Sequence, residues 1–131
     1  MNIAFQTLIQ VIKERLEEIP TPLRQVDVER QVIIFCMAEA LRQMELIPVS
    51  AWKPPLSTRQ SLDLVGVQPG GEVPKIEMAI LADPLVELPR VRSLEWVDCP
   101  TKIYITFSPR LDKIKPTLLF LGESHIHLNI Y

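Results

Sequence analysis

The stretch KIEMAILA, Lys75 to Ala82, decides how this chain is read. Side chains alternate faces along a strand. Lys75, Glu77, Ala79 and Leu81 therefore share one face, and Ile76, Met78 and Ile80 share the other. Upstream, across QPGGEVP, lies a second strand-like run, SLDLVGV, Ser61 to Val67, with Asp63, Val65 and Val67 on one face. Pro69 and Gly70 suit the corners of the turn between them. Both runs are apolar on both faces, so both faces should be covered, as in a sheet with helices on either side. Each run also carries one acid, Asp63 in the first and Glu77 in the second. An unpaired carboxylate in a dry core is costly, so each acid needs a partner. Arg59, Lys75 and Arg90 are the candidates.

Working outward, Leu8, Ile12, Leu16 and Ile19 recur at helical spacing in a first segment, Ile3 to Ile19, which Pro20 ends. A second helix is expected from about Val28 to Leu46, with Asp27 as its N-cap. Its middle, VIIFCMA (Val32 to Ala38), is apolar all round and reads as a buried central helix. A proline-rich loop, PVSAWKPPLSTRQ, follows from Pro48. Beyond Asp83-Pro84, a helix over about Pro89 to Val97 precedes a strand, Lys102 to Ser108, which reads as a parallel crossover. The end reads as a hairpin of Thr117–Gly122 and His125–Tyr131. In the second arm Ile126, Leu128 and Ile130 face one way and His125, His127, Asn129 and Tyr131 the other. The expected class is α/β (α+β), a single domain over residues 1–131, with a mixed central sheet flanked by helices and a C-terminal β-hairpin.

Composition narrows the functional classes. The 131 residues are 47% hydrophobic and 23% charged, ordinary proportions for a globular chain. A net charge of −2 lacks the basic excess of a dedicated nucleic-acid binder. Two cysteines, Cys36 and Cys99, make neither a disulfide framework nor a zinc site. The N-terminus has no basic leader region and turns acidic by Glu14. No apolar run approaches the ~18 residues of a membrane span, so the expected compartment is the cytoplasm. Glu123, His125 and His127 share a face, but at ~3.3 Å per residue they spread over about 13 Å, too far for a tight metal site. Trp52 and Trp96 read as packing residues.

The element order and the acids together resemble the PD-(D/E)xK nuclease superfamily, the restriction-endonuclease-like fold with its three-layer core. The resemblance covers roughly Asp27 to Ser108. It assigns Glu29, in VERQVIIFCMAEALRQM, as the helical acid, Asp63 as the strand acid and Glu77 as the acid of the second strand. What it implies is a metal site of Asp63, Glu77 and Glu29 for a hard divalent cation, Mg²⁺, set against a scissile phosphate. The family's lysine, which assists the attacking water and offsets phosphate charge, belongs two residues after Glu77. Ala79 stands there, and Leu62 replaces the proline that often precedes the strand Asp. The resemblance thus points to a degenerate member that binds protein or nucleic acid without catalysis, as a homodimer or within a complex. One alternative is an active Mg-dependent nuclease in which Lys75 supplies the cation, making Asp63, Glu77 and Lys75 the catalytic set. Another is a small α/β regulatory or assembly protein unrelated to nucleases.

Overall fold

The structure, a computed structural model, describes residues 5–53 and 61–131. Arg59 lies outside the described residues. Two helices open the chain, α1 (Phe5–Glu17) and α2 (Val26–Gln43), joined through a 3-10 turn at Thr21–Leu23. α1 buries Ile12 and Leu16, four residues apart on one face, and α2 buries Ile33, Ile34, Met37 and Leu41. The N-cap of α2 is Gln25, not Asp27. Asp27 falls in the first turn, where a negative charge suits the helix dipole and where it binds Arg30.

Five strands follow: β1 (Ile47–Trp52), β2 (Leu62–Val67), β3 (Ile76–Asp83), β4 (Thr101–Thr106) and β5 (His125–Asn129). They lie in the order β1-β2-β3-β4-β5. The first three form an antiparallel meander, and β4 and β5 continue it in parallel. α3 (Leu88–Glu95) makes the expected crossover from β3 to β4, opening with a proline in its first turn. The expected mixed sheet with helices on both sides is therefore present. Alternation along the strands sorts the core into two halves. Leu64, Met78, Ile80, Ile103, Ile105 and Leu128 pack with α1 and α2. Val65, Ala79, Leu81 and Tyr104 pack with Val91 and Leu94 of α3.

Three local readings need correcting. Residues from Pro48 form β1 rather than the start of a loop. An edge strand tolerates a proline because one row of its amides needs no partner. The middle of α2 is not buried all round, because Phe35 is 70% exposed. The C-terminal strand exists, but no hairpin leads into it. Thr117–Gly122 falls largely in a 3-10 helix, Lys115–Phe120, after the short α4 (Leu111–Ile114). Pro116 presets a helical φ and lacks an amide. Thr117 Oγ1 donates to the Ile114 carbonyl at 2.6 Å, and Leu118 and Leu121 pack on the α3 side of the sheet. Of the tryptophans, Trp52 packs on the core while Trp96 is 62% exposed. Among the described residues no helix is long and apolar enough to cross a membrane.

Gly66 of β2 lies directly against the Leu41 and Leu46 side chains. A Cβ there would stand 2.9 Å from Leu41 Cδ2 and 3.2 Å from Leu46 Cδ1. Gly66→Ala is expected to cost about 1–3 kcal/mol through overpacking, read as a lower urea midpoint. Adding Leu41→Val should cost less in that background than in the wild type, because the two sites share one gap.

Candidate functional site

The site forms where β3 ends. The β2–β3 ladder runs from Val67↔Ile76 to Leu64↔Ile80, so Asp63 falls one residue past its end. There Asp63 Oδ2 accepts the Ala82 amide at 2.8 Å, the bond a ladder carbonyl would otherwise make. One residue on, Asp83 has a side chain only 3% exposed. Arg90, on the first turns of α3, lies against both acids. Its Nη2 is 2.5 Å from Asp63 Oδ2 and its Nε is 3.1 Å from Asp83 Oδ2. Its Nη1 donates to the Ser61 carbonyl at 3.3 Å. One guanidinium thus bridges carboxylates from neighbouring strands.

The rest of the cluster saturates Asp83. The Tyr104 hydroxyl, from β4, donates to Asp83 Oδ2 at 2.5 Å and accepts the Glu87 amide at 3.0 Å. Arg30 reaches in from α2 on the other face of the sheet. Its Nη2 donates to Asp83 Oδ1 at 2.9 Å, its Nε to the Ala82 carbonyl at 2.8 Å, and its Nη1 to Asp27 at 2.6 Å. Burial pushes the Asp63 carboxyl up, against the pull of Arg90 and of the Ala82 amide. Burial works against the Arg90 cation too, but Asp63 and Asp83 outweigh it and hold the guanidinium above its usual range. Burial and the neighbouring Asp83 drive the Tyr104 phenol up, so it serves as a neutral donor. Buried charges persist when paired and hydrogen-bonded, and here two carboxylates face two guanidiniums.

The structure pairs both strand acids with partners anticipated from sequence, Asp63 with Arg90 and Glu77 with Lys75, but it does not bring the two acids together. Leu81 is the residue level with Asp63, and Glu77 lies four positions before it. At roughly 3.3 Å per residue the two acids stand about 13 Å apart along the sheet. Metal–oxygen bonds of about 2.0–2.6 Å cannot span that gap with one ion. Glu77 sits at the turn end of the hairpin, where Gln68 Nε2 donates to it and Lys75 Nζ lies 3.5 Å away. Ala79, where the resemblance would place a lysine, is 0% exposed beneath α3. Glu29 is elsewhere: burial raises its carboxyl against the pull of Arg24, and Tyr131 feels its charge. Among the described residues no three His, Cys, Asp or Glu side chains gather to hold a metal ion. The two acids that do meet have their facing oxygens taken by Arg90, so this donor set does not fit Mg²⁺.

Asp83 is the site residue that the sequence pattern does not single out, because it falls just past the KIEMAILA run. The available signal was Asp-Pro closing an apolar strand, with arginine seven residues later. On β5, His127 Nε2 is 2.7 Å from Thr106 Oγ1, and His125 Nδ1 accepts the Gly122 amide at 2.9 Å. A separate open groove of about 1030 Å³ lies between α1 and α2, lined by Leu8, Val11, Val32, Phe35 and Met44 among others. The chain matches no known family, no curated protein and no solved structure at a significant level.

Removing the bridging cation leaves two buried carboxylates facing each other. Arg90→Met is expected to cost about 3–5 kcal/mol, against less than about 1 kcal/mol for Lys75→Ala at the solvated Glu77 pair. Denaturant titration of the two variants checks the ranking. Burial also lowers both histidines below their ordinary 6.5. The unfolded chain then binds more protons than the folded one as pH falls through 6.5, so stability is full above that value and declines below it. The urea midpoint should drop between pH 7.5 and pH 5.5, and drop less in a His125→Gln/His127→Gln double variant.

Proposed function

We propose that this chain is a noncatalytic domain of the restriction-endonuclease-like type that works by association with another protein. One observation carries the reading. The two strand acids that would share a metal ion in a nuclease of this type stand apart: Asp63 is taken up by the Arg90 guanidinium together with Asp83, while Glu77 lies at the other end of the hairpin. The face running from there toward Glu77 supports it, because Val65 and Ala79 are buried under α3 and leave no space for a phosphate. The near-neutral net charge favours protein over nucleic acid as the partner. The element order supports the resemblance: α2, the Asp63 strand, a turn, the Glu77 strand, a crossover helix and a further strand follow one another, with β1 added between α2 and the Asp63 strand. The alternative of an active nuclease draws on the Lys75–Glu77 contact at the hairpin turn.

Purified protein is expected to cleave neither DNA nor RNA with Mg²⁺ or Mn²⁺, and Mg²⁺ should leave its Tm unchanged. Metal-dependent cleavage that disappears in Glu77→Gln and in Lys75→Ala would establish the active alternative instead. Ala79→Lys does not serve as a test, because it would place an ammonium in the dry core beneath α3.

A further inference from the structure

The two edges of the sheet differ in how they are guarded. Edge strands invite pairing with other chains unless proline, charge or a kink blocks them. β1 carries Pro48, and Ala51 has a φ of 54°, where a non-glycine residue is strained. Ala51 drops out of the β1–β2 register, which runs through Ser50 and resumes at Trp52. β5 has none of these devices. Its sequence, HIHLN, has no proline, lysine or acid, and it is followed by Ile130 and Tyr131.

The hydrogen bonding shows which main-chain groups of β5 point outward. The Ile130 amide donates to the Thr106 carbonyl at 3.0 Å. In a parallel ladder alternate residues turn both amide and carbonyl toward the same neighbour. Ile126, Leu128 and Ile130 therefore serve β4, and His127 and Asn129 turn theirs away from it. Among the described residues no strand pairs with β5 beyond β4, and no hydrogen bond reaches the main-chain amide of His127 or Asn129. The outward amide of His125 is already satisfied by the Gly122 carbonyl at 3.1 Å. The open groups thus sit symmetrically on either side of Leu128.

We propose that β5 pairs antiparallel with β5 of a second copy about a two-fold axis at Leu128. His127 then lies opposite Asn129 of the other copy, and each pair exchanges two amide–carbonyl bonds. Leu128 meets its own equivalent, and Ile126 lies opposite Ile130. Polarity reads the same in both directions from Leu128, so the apolar face of each β5 continues into the other, a self-complementarity that a two-fold interface requires. The five strands of each copy become one sheet of ten. α1 packs against β5 on the apolar face, which brings the two copies of α1 alongside each other across the axis. This names a partner for the association proposed above and rests on that reading only for its purpose. The pairing would hold equally in an active nuclease, so neither result decides the other.

Sedimentation velocity over a wide concentration range tests it, with amide hydrogen exchange of the wild-type protein as a second measurement. The expected result is a doubling of mass with concentration. The His127 and Asn129 amides should gain protection in step with it, while Leu128 and Ile130 stay protected throughout. Asn129→Pro removes one outward amide without touching the β4 ladder and should abolish the dimer. Asn129→Ala keeps that amide and should retain it. A wild-type monomer at every concentration overturns the proposal. So does a dimer in which the His127 and Asn129 amides exchange as fast as in the monomer, or one that survives in Asn129→Pro.

Discussion

The bridge that Arg90 makes between Asp63 and Asp83 is the contact on which the rest of the architecture converges. Asp63 closes the end of the β2–β3 ladder by taking the Ala82 amide. Asp83 closes β3 and ties it to β4 through Tyr104 and to α2 through Arg30. Arg90 anchors the start of the crossover helix to both acids. Elements from all three layers thus meet in one charge-balanced cluster. Buried ion pairs add little net stability compared with a well-packed apolar core, but losing one partner is expensive. The cluster therefore acts less as a source of stability than as a constraint on how α2, the meander and α3 fit together.

The same constraint bears on function. Two carboxylates brought together inside a protein need a cation between them. Here that cation is the Arg90 guanidinium. A guanidinium is fixed by its own helix, presents several donors in one plane and stays charged. It satisfies Asp63 Oδ2 and Asp83 Oδ2, the oxygens that face it from the two strands. The apolar packing of Val65 and Ala79 beneath Val91 and Leu94 closes the adjoining face of the sheet. Elsewhere among the described residues, an open groove lies between α1 and α2 beside the exposed Phe35, and β5 forms an edge of the sheet.

Much of this was legible in the residues. Apolar character on both faces of Ser61–Val67 and Lys75–Ala82 required cover on both sides of the sheet, and α1, α2 and α3 supply it. The length of the run between β3 and β4 required a parallel crossover. The need of each acid for a cation pointed to Arg59, Lys75 and Arg90, and among the described residues Arg90 and Lys75 are the partners found. The misreadings share a cause. Pro48 within β1, Phe35 on α2 and the Thr117–Gly122 run depend on which neighbours happen to lie beside them. Local pattern says that a residue is apolar or conformationally restricted, but not which surface will meet it.

The sequence by itself determined the alternation of faces, the helix–strand order and the presence of two acids that could not stay unpaired. These follow from side-chain period and from the cost of burying charge, which act within a few residues of chain. Only the tertiary structure decided which acids meet. Strand register, not sequence spacing, sets what lies across from what. The register that places Ile80 opposite Leu64 carries Glu77 to the far end of the hairpin and brings Asp83 to the Asp63 end. There an arginine from the following helix stands between them.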